Sequence, residues 1–327
     1  MIFYAAILIF SFLITFVFAN LLIPRLKRFN ITGKDVNKPN KPEVAEMGGL
    51  AIVAGFTAGV LLAVFLHTFF DGIFFNLVFV LAALLTIHAI SFIGILDDLL
   101  DLPQWLKAIL PLFAAVPLVA VKATGSTIMT FPLIGQIDFG VYYIILLIPL
   151  GIAVASNLTN MLAGFNGMEA GMGSVIFFIM SLLAIYIGNY GLLVLFLPML
   201  GALLAFLFFG FYPAKAFPGD IGNLTIGAVL AAGAIIGNME TLAAILLIPY
   251  VIDFFIKLYN KFPSSKWWGE YKNGKLYPVE GKVRGFAQLI MKLYNGVSEK
   301  KLVLTFIALE LLIGIVLLLY VSISKLF

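Results

Sequence analysis

Ten stretches of this chain are apolar for about 20 residues each, the length an α-helix needs to cross a bilayer. They fall at roughly 2–24, 47–67, 75–96, 103–122, 140–156, 171–188, 191–211, 221–237, 241–258 and 302–323. Backbone polar groups in hydrocarbon must be satisfied within the segment, so apolar runs of this length are helices. Of 327 residues, 63% are hydrophobic and 11% charged, whereas soluble domains carry about 25% charged residues. The expected fold is an all-α integral membrane protein with about ten transmembrane helices, a single polytopic domain over residues 1–327. A pair or trio of soluble domains is excluded. The first apolar segment is too long for a signal-peptide core and has no small-residue cleavage site, so it is expected to remain as a helix. The chain has no cysteine, which excludes a disulfide framework and thiolate chemistry.

Lys and Arg set the expected orientation. If the first span exits into the cytoplasm at Arg25-Leu26-Lys27-Arg28, all of the 20 Lys and Arg residues except Lys122 and Lys325 fall on that side. The positive-inside rule needs far less asymmetry. Both termini are then expected outside, with cytoplasmic loops at 25–46, 97–102, 157–170, 212–220 and 259–301, in the cell membrane of a prokaryote. Acidic residues do not follow that rule, so their placement is independent. Asp35, Glu43, Glu46, Asp97, Asp98, Asp101, Glu169 and Asp220 also land on the cytoplasmic face, leaving Asp71, Asp138 and Glu240 outside. The net charge of +4 does not point to nucleic acid, because the basic residues flank apolar spans.

Three local patterns stand out between spans. Thr127–Phe139 reads as a short outer hairpin, and Tyr271–Tyr277 as a cytoplasmic hairpin with an Asn273-Gly274 turn. Phe286, Leu289, Ile290 and Leu293 have helical spacing, predicting an amphipathic helix on the membrane surface. Trp267 and Trp268 fit an interfacial belt.

Chemistry enters with Asp97-Asp98, adjacent carboxylates at the end of an apolar run. Ionisable groups at membrane depth are expensive and mark function by default. Asn157–Glu169 and Lys215–Asp220 are two further polar patches on the same face. Magnesium prefers oxygen ligands, commonly one or two carboxylates plus substrate phosphates. Asp97, Asp98 and Asp220 offer carboxylates; Asn157, Asn160 and Asn166 offer amide oxygens. A continuing helix would put Asp97 and Asp101 on one face and aim Asp98 about a quarter-turn away. Pro218-Gly219-Asp220-Ile221-Gly222-Asn223 is a glycine-bearing turn entering an apolar helix, a place where backbone N–H groups favour anions. Lys107 lies near the start of the span after the Asp pair. Metal, phosphate and a membrane face together point to phosphoryl transfer from a nucleotide-activated donor to a lipid.

These residues resemble the polyprenyl-phosphate N-acetylhexosamine-1-phosphate transferases over nearly the whole chain, most closely the archaeal and eukaryotic branch. Lys34–Lys38 is similar to that branch's Asp-Leu-Asn-Lys loop, and Glu46 with Gly48 to its Glu-Ser-Gln-Gly turn. Gly94–Asp98 matches Gly-Phe-x-Asp-Asp, with Lys107 at the usual distance. Asn157–Gly171 matches a long Asn-x-x-Asn-x-Leu-Ala-Gly-x-Asn-Gly-x-Glu-Ala-Gly pattern, and Phe211–Asp220 resembles Trp-Tyr-Pro-x-x-x-Phe-x-Gly-Asp.

The resemblance implies transfer of GlcNAc-1-phosphate from UDP-GlcNAc to a polyprenyl phosphate of the dolichyl type, releasing UMP. It implies Mg2+ on Asn160 and Asp220, with Mn2+ as a substitute, and Lys107 on phosphate oxygens. Phe217 would stack on uracil, with Asn166 and the Val36 backbone near the uridine and Glu46 facing the sugar. Asp97 and Asp98 would be essential, placing the acceptor phosphate or managing its proton. Asn37, Lys38, Asn157, Gly164 and Glu169 belong to the matched loops and are carried as substrate-binding candidates. A homodimer is the assembly the family implies. One departure concerns the last cytoplasmic loop. The eukaryotic branch carries Arg-His-Arg there, whereas this chain has Ser264-Ser265-Lys266-Trp267-Trp268. Lys266, Lys282 or Arg284 is expected to neutralise the diphosphate instead, and the same chemistry with another UDP-HexNAc donor is the alternative.

Rival readings fit less well. A secondary transporter would keep acids at mid-bilayer and often shows inverted repeats, and the sequence has no internal repeat. A CDP-alcohol phosphotransferase needs Asp-Gly-x-x-Ala-Arg, which is absent. Phe217 is one of 32 Phe residues, so without the family match it reads as packing. His88 is expected to bond between helices and Asp253 to pair or snorkel; Glu310 has no sequence rationale.

Overall fold

The computed structural model describes residues 2–324 apart from 71, 124, 133 and 264. Asp71, Ser264 and Lys325, named above, lie outside the described residues. Helix α1 (Ile2–Arg28) leads through strands β1 (Thr32–Lys34) and β2 (Glu43–Ala45) to α2 (Gly49–Phe70) and α3 (Leu77–Leu100). Helices α4 (Gln104–Ala114) and α5 (Val116–Lys122) form one span, followed by hairpin β3 (Ile128–Phe131) and β4 (Gly135–Asp138). Then come α6 (Ile148–Met161), α7 (Met168–Tyr186), α8 (Leu193–Gly210) and α9 (Gly219–Gly237). The chain closes with α10 (Glu240–Leu246), α11 (Ile248–Tyr259), hairpin β5 (Gly269–Lys272) and β6 (Lys275–Pro278), α12 (Phe286–Leu293) and α13 (Glu299–Ser324). Nine helices are long and apolar enough to cross a membrane among the described residues, and ten if the bent pair α10–α11 is one span. The protein is therefore an all-α integral membrane protein, as expected.

Small residues decide how closely the helices meet. A Cβ on Gly227 of α9 would lie 2.3 Å from the Ala155 carbonyl oxygen of α6, and one on Gly94 of α3 would lie 2.4 Å from the Ile221 Cα. Glycine at these points lets backbones touch, which is how membrane helices pack without a hydrophobic driving force. Side-chain bonds lock the same contacts: Ser91 Oγ lies 2.7 Å from Thr225 Oγ1, and Thr159 Oγ1 donates to the Asn223 carbonyl at 2.8 Å. α9 is thus fixed directly against α3 and α6.

The span expected at 241–258 is broken. α10 and α11 meet at Leu247 with a bend of 62°. Pro249 explains the break, because it removes a backbone donor and clashes with the preceding turn. The Tyr271–Tyr277 hairpin forms as expected, with Asn273 and Gly274 both at positive φ. The hairpin read at Thr127–Phe139 likewise forms, pairing Ile128 with Asp138. The sequence reading missed β1–β2, which pairs Lys34 with Glu43. α12 forms where predicted, with Leu289 and Ile290 partly buried. Phe286, Ala287, Gln288 and Met291 point inward, and Leu293 is 73% exposed. Phe286 packs edge-on against Phe306 of α13 at 5.1 Å. His88 Nε2 lies 3.0 Å from Thr57 Oγ1, joining α3 to α2.

Candidate active site

Asp97 occupies the last helical turn of α3, almost fully buried. Its Oδ1 pairs with Lys107 Nζ at 2.7 Å and accepts the Leu102 N–H at 3.0 Å. Its Oδ2 is buried with no protein partner. Lys107, carried by α4, also lies 3.5 Å from Asp220 Oδ2. One ammonium therefore bridges carboxylates from α3 and α9. The expectation that Asp101 shares a face with Asp97 is corrected. α3 ends at Leu100, and Asp101 turns into the left-handed region at φ 49° and out to solvent.

Asp98 faces another way, toward the start of α9. Its Oδ1 accepts the Asp220 N–H at 2.7 Å and its Oδ2 the Ile221 N–H at 3.1 Å. Two of the free donors at a helix start are thereby satisfied by a carboxylate that also suits the helix dipole. Gly219 makes this possible. Its φ is +68°, and a Cβ there would lie 2.6 Å from Asp98 Oδ2. This revises the expectation of a free anion site on Pro218–Asn223, because two of its amides already hold Asp98.

A cavity of about 1130 Å³ opens beside these groups. Of the sequence-derived candidates, Val36, Glu46, Lys107, Asn157, Asn160, Gly164, Asn166, Glu169, Phe217 and Asp220 line it. Asp97, Asp98, Asn37, Lys38, Lys266 and Arg284 do not line it. Asn160 Oδ1 accepts a bond from Asn223 Nδ2 at 3.1 Å, which ties α6 to α9 beside Asp220. Asn157 Nδ2 donates to the carbonyls of Ala153 at 2.8 Å and Lys107 at 3.4 Å, anchoring the lysine's backbone. Burial raises the Glu46 carboxyl above its ordinary pKa. The Phe217 N–H donates to the Ala45 carbonyl, and its own carbonyl accepts from Gly48, both at 2.8 Å.

The far end of the cavity is built from two loops. Asn37 Nδ2 donates to the Gly164 carbonyl at 2.9 Å, while Asn37 Oδ1 accepts the Gly269 N–H at 2.9 Å. Gly164 sits at φ +101° under the Trp267 ring, and its N–H donates to Glu169 Oε1 at 2.5 Å. Asn166 Nδ2 donates to Asp35 Oδ2 at 3.0 Å. Lys38 pairs with Asp35 at 3.1 Å and with Glu299. Lys266 and Arg284 both pair with Glu280, Arg284 at 2.7 Å. Those bonds hold the Glu280 carboxyl below the usual range.

Sequence reasoning missed Lys257. It lines the cavity, pairs with Asp253 at 2.7 Å and donates to the Met161 carbonyl. The signal was the Asp253–Lys257 spacing of one helical turn. Val251, Phe254 and Phe255 of α11, with Leu150 and Val154 of α6, give the cavity an apolar wall.

The site fits a hard divalent cation. Two carboxylates, Asp97 and Asp220, flank one ammonium, Asp98 caps the helix that carries Asp220, and one buried Asp97 oxygen is unpartnered. No three His, Cys, Asp or Glu side chains form a protein-only metal cage among the described residues. That donor set matches magnesium, which keeps waters or substrate phosphates in its shell.

Fold and site together define a polytopic helical membrane protein with a polar cavity, flanked by an apolar wall, at one end of its bundle. Residues 80–238 match the family described as Glycosyl transferase family 4. A protein of Saccharolobus solfataricus named "Putative UDP-N-acetylglucosamine--dolichyl-phosphate N-acetylglucosaminephosphotransferase" is 37% identical over 292 residues, covering 88% of this chain and 87% of the relative. The UDP-N-acetylglucosamine--dolichyl-phosphate N-acetylglucosaminephosphotransferase of Dictyostelium discoideum is 26% identical, covering 84% and 77%. The phospho-N-acetylmuramoyl-pentapeptide-transferase of Halalkalibacterium halodurans is 31% identical, covering 75% and 78%. The chain belongs to glycosyl transferase family 4.

Proposed function

We propose that the protein transfers N-acetylglucosamine 1-phosphate from UDP-N-acetylglucosamine to a polyprenyl phosphate of the dolichyl type, releasing UMP. The observation that carries this reading is Lys107 held between Asp97 and Asp220 in a cavity that also has a stretch of apolar lining. The relatives' names agree with it. An oxygen of the acceptor phosphate attacks the phosphorus that bears the sugar. The P–O bond to UMP breaks, and UMP leaves with the electron pair. A phosphate is already a nucleophile, so positioning and charge neutralisation supply most of the rate.

In this reading the Lys107 ammonium meets phosphate oxygens, and Asp97 fixes it there. Asp98 holds the first turn of α9 so that Asp220 faces the cavity. Asn160 and Asp220 would hold Mg2+, or Mn2+ in its place; when bound, the cation neutralises diphosphate charge. Val36, Asn166 and Phe217 receive the uridine, Glu46 the sugar, and the Val251–Phe255 wall the first isoprene units. We place the site on the cytoplasmic face, with both termini opposite, because the loops at its end of the bundle carry nearly all the Lys and Arg residues.

The test is purified protein in detergent with Mg2+, a short dolichyl phosphate, and UDP-GlcNAc beside UDP-GalNAc and UDP-MurNAc-pentapeptide. UMP and lipid-diphosphate-GlcNAc, lost with EDTA, are the expected products. Product from another donor alone would overturn the sugar. No product from any donor, with folded protein, would overturn the reaction.

A further inference from the structure

Glu299 is the first residue of α13, distant in sequence from the loops that line the cavity, and it is 5% exposed. Its Oε1 accepts the Asn166 N–H at 2.9 Å, and its Oε2 pairs with Lys38. Lys38 lies 3.1 Å from Asp35 Oδ2, and Asp35 accepts from Asn166 Nδ2 at 3.0 Å. The four residues close a ring: Glu299, Lys38, Asp35, Asn166 and back to Glu299. Lys38 Nζ also lies 4.6 Å from the Tyr212 ring centre, which reaches the segment carrying Phe217. Asp35, Glu299 and Asn166 are buried. Buried charges of this kind hold a geometry only while every partner is present.

We infer that Glu299 is a positioning residue that clasps the Thr32–Ala45 segment to the 162–167 loop, setting Val36 and Asn166 together on the nucleotide-sugar end of the cavity. Glu299 does not line the cavity and touches no substrate in this arrangement. Its effect passes through Lys38 and the Asn166 backbone. The substrate assignment rests on the proposed function, whereas the clasp rests on the contacts alone.

Two readouts separate the two. Hydrogen–deuterium exchange compares wild type with Glu299→Ala, Glu299→Gln and Lys38→Gln. Exchange is expected to rise together in 32–45 and 162–167, while the 128–138 hairpin stays unchanged. Kinetics should show the donor KM up by about tenfold in Glu299→Ala, the loss expected for one buried charged hydrogen bond. The acceptor KM and kcat should stay within about twofold, since nothing on their side moves. Glu299→Gln retains an acceptor for Asn166 and is expected to restore part of the donor KM. It is also the variant that decides if Glu299→Ala does not fold. Unchanged exchange in both loops would overturn the clasp. Raised exchange with an unchanged donor KM, or equal effects on donor and acceptor, would overturn the positioning role. Wild type inactive on every nucleotide sugar would overturn the proposed function instead, and the exchange result alone would then decide the clasp.

Discussion

Asp98 reaches from α3 to close the first turn of α9, and its Oδ1 lies 2.7 Å from the amide nitrogen of Asp220. One aspartate thus sets where the next stands. The adjacent Asp97 points to Lys107 instead. The pair divides its work because successive helical residues point about 100° apart. Asp98→Ala removes two bonds to a helix start, which is expected to lower stability by about 1–2 kcal/mol. Turnover should fall roughly a hundredfold, because Asp220 loses its preorganised position. Asp98→Asn keeps one acceptor oxygen and should lose less. Thermal unfolding and UMP release check both; wild-type turnover in Asp98→Ala would refute the coupling.

Lys107 is the one cation paired with both Asp97 and Asp220 among the described residues. Lys107→Met leaves two carboxylates facing each other with little solvent. Breaking such a pair costs about 3–5 kcal/mol when fully buried; partial exposure of the lysine reduces this to about 2 kcal/mol. Activity should fall by roughly a thousandfold. Lys107→Arg should recover stability better than turnover, because the guanidinium fork does not reproduce a point charge. Melting temperature and turnover measured on both variants separate these outcomes.

Most of the spans were legible because each is a long apolar run, and membrane helices carry their own backbone bonding. The Asp97-Asp98, Asn157–Glu169 and Lys215–Asp220 patches were legible as polar interruptions of those runs. Pairing across loops was not. Asp98 on the amides of Asp220 and Ile221 joins residues about 120 apart, and no local pattern encodes it. The same holds for Asn37 with Gly164 and for Glu299 with Asn166. Glu310, without rationale in the sequence, is fully buried in α13 with both oxygens unpartnered; nothing in the structure explains it.

Gly164 has φ +101°, and a Cβ there would sit 2.4 Å from the Trp267 ring. Gly164→Ala must therefore strain the backbone by about 1–2 kcal/mol and displace the indole. Both the melting temperature and donor binding should suffer, with the donor KM rising and the acceptor KM unchanged. Gly188→Ala is the control. Its φ is +81° with nothing within 4 Å of the added carbon, so it carries strain without collision. Equal donor KM values in the two variants would mean that Trp267 does not shape the site.

Glu280 receives Lys266 and Arg284, and these bonds depress its pKa. A carboxyl whose folded pKa lies below the unfolded value of about 4.3 stabilises the fold above that value. The contribution is lost as pH falls through the folded pKa. The segment from Lys266 to Arg284 should thus loosen on acidification below about pH 4.3, and less steeply in high salt, because the network is exposed. Hydrogen exchange of residues 265–284 at pH 6 and pH 3.5 measures it. Glu280→Gln should remove the step; a step of equal size in that variant would assign it to another group.

Chelation tests the acidic cluster most directly. Asp97 and Asp220 share the Lys107 ammonium, and Asp98 stands next to both, so three acidic side chains crowd one protein cation. A divalent cation lowers that repulsion even without substrate. Mg2+ titrated into EDTA-treated protein is expected to raise the melting temperature, and by mass action the rise tracks the affinity. Asp220→Asn removes one carboxylate and should weaken the midpoint at least about tenfold, one charged contact. Ca2+ is larger and takes more ligands, so it should stabilise the fold while supporting little UMP release. Asn160→Ala should shift the Mg2+ midpoint in the same direction as Asp220→Asn but by less, since it removes a neutral amide. A midpoint unchanged in Asp220→Asn would move the cation to Asp97, whose Oδ2 is buried without a partner.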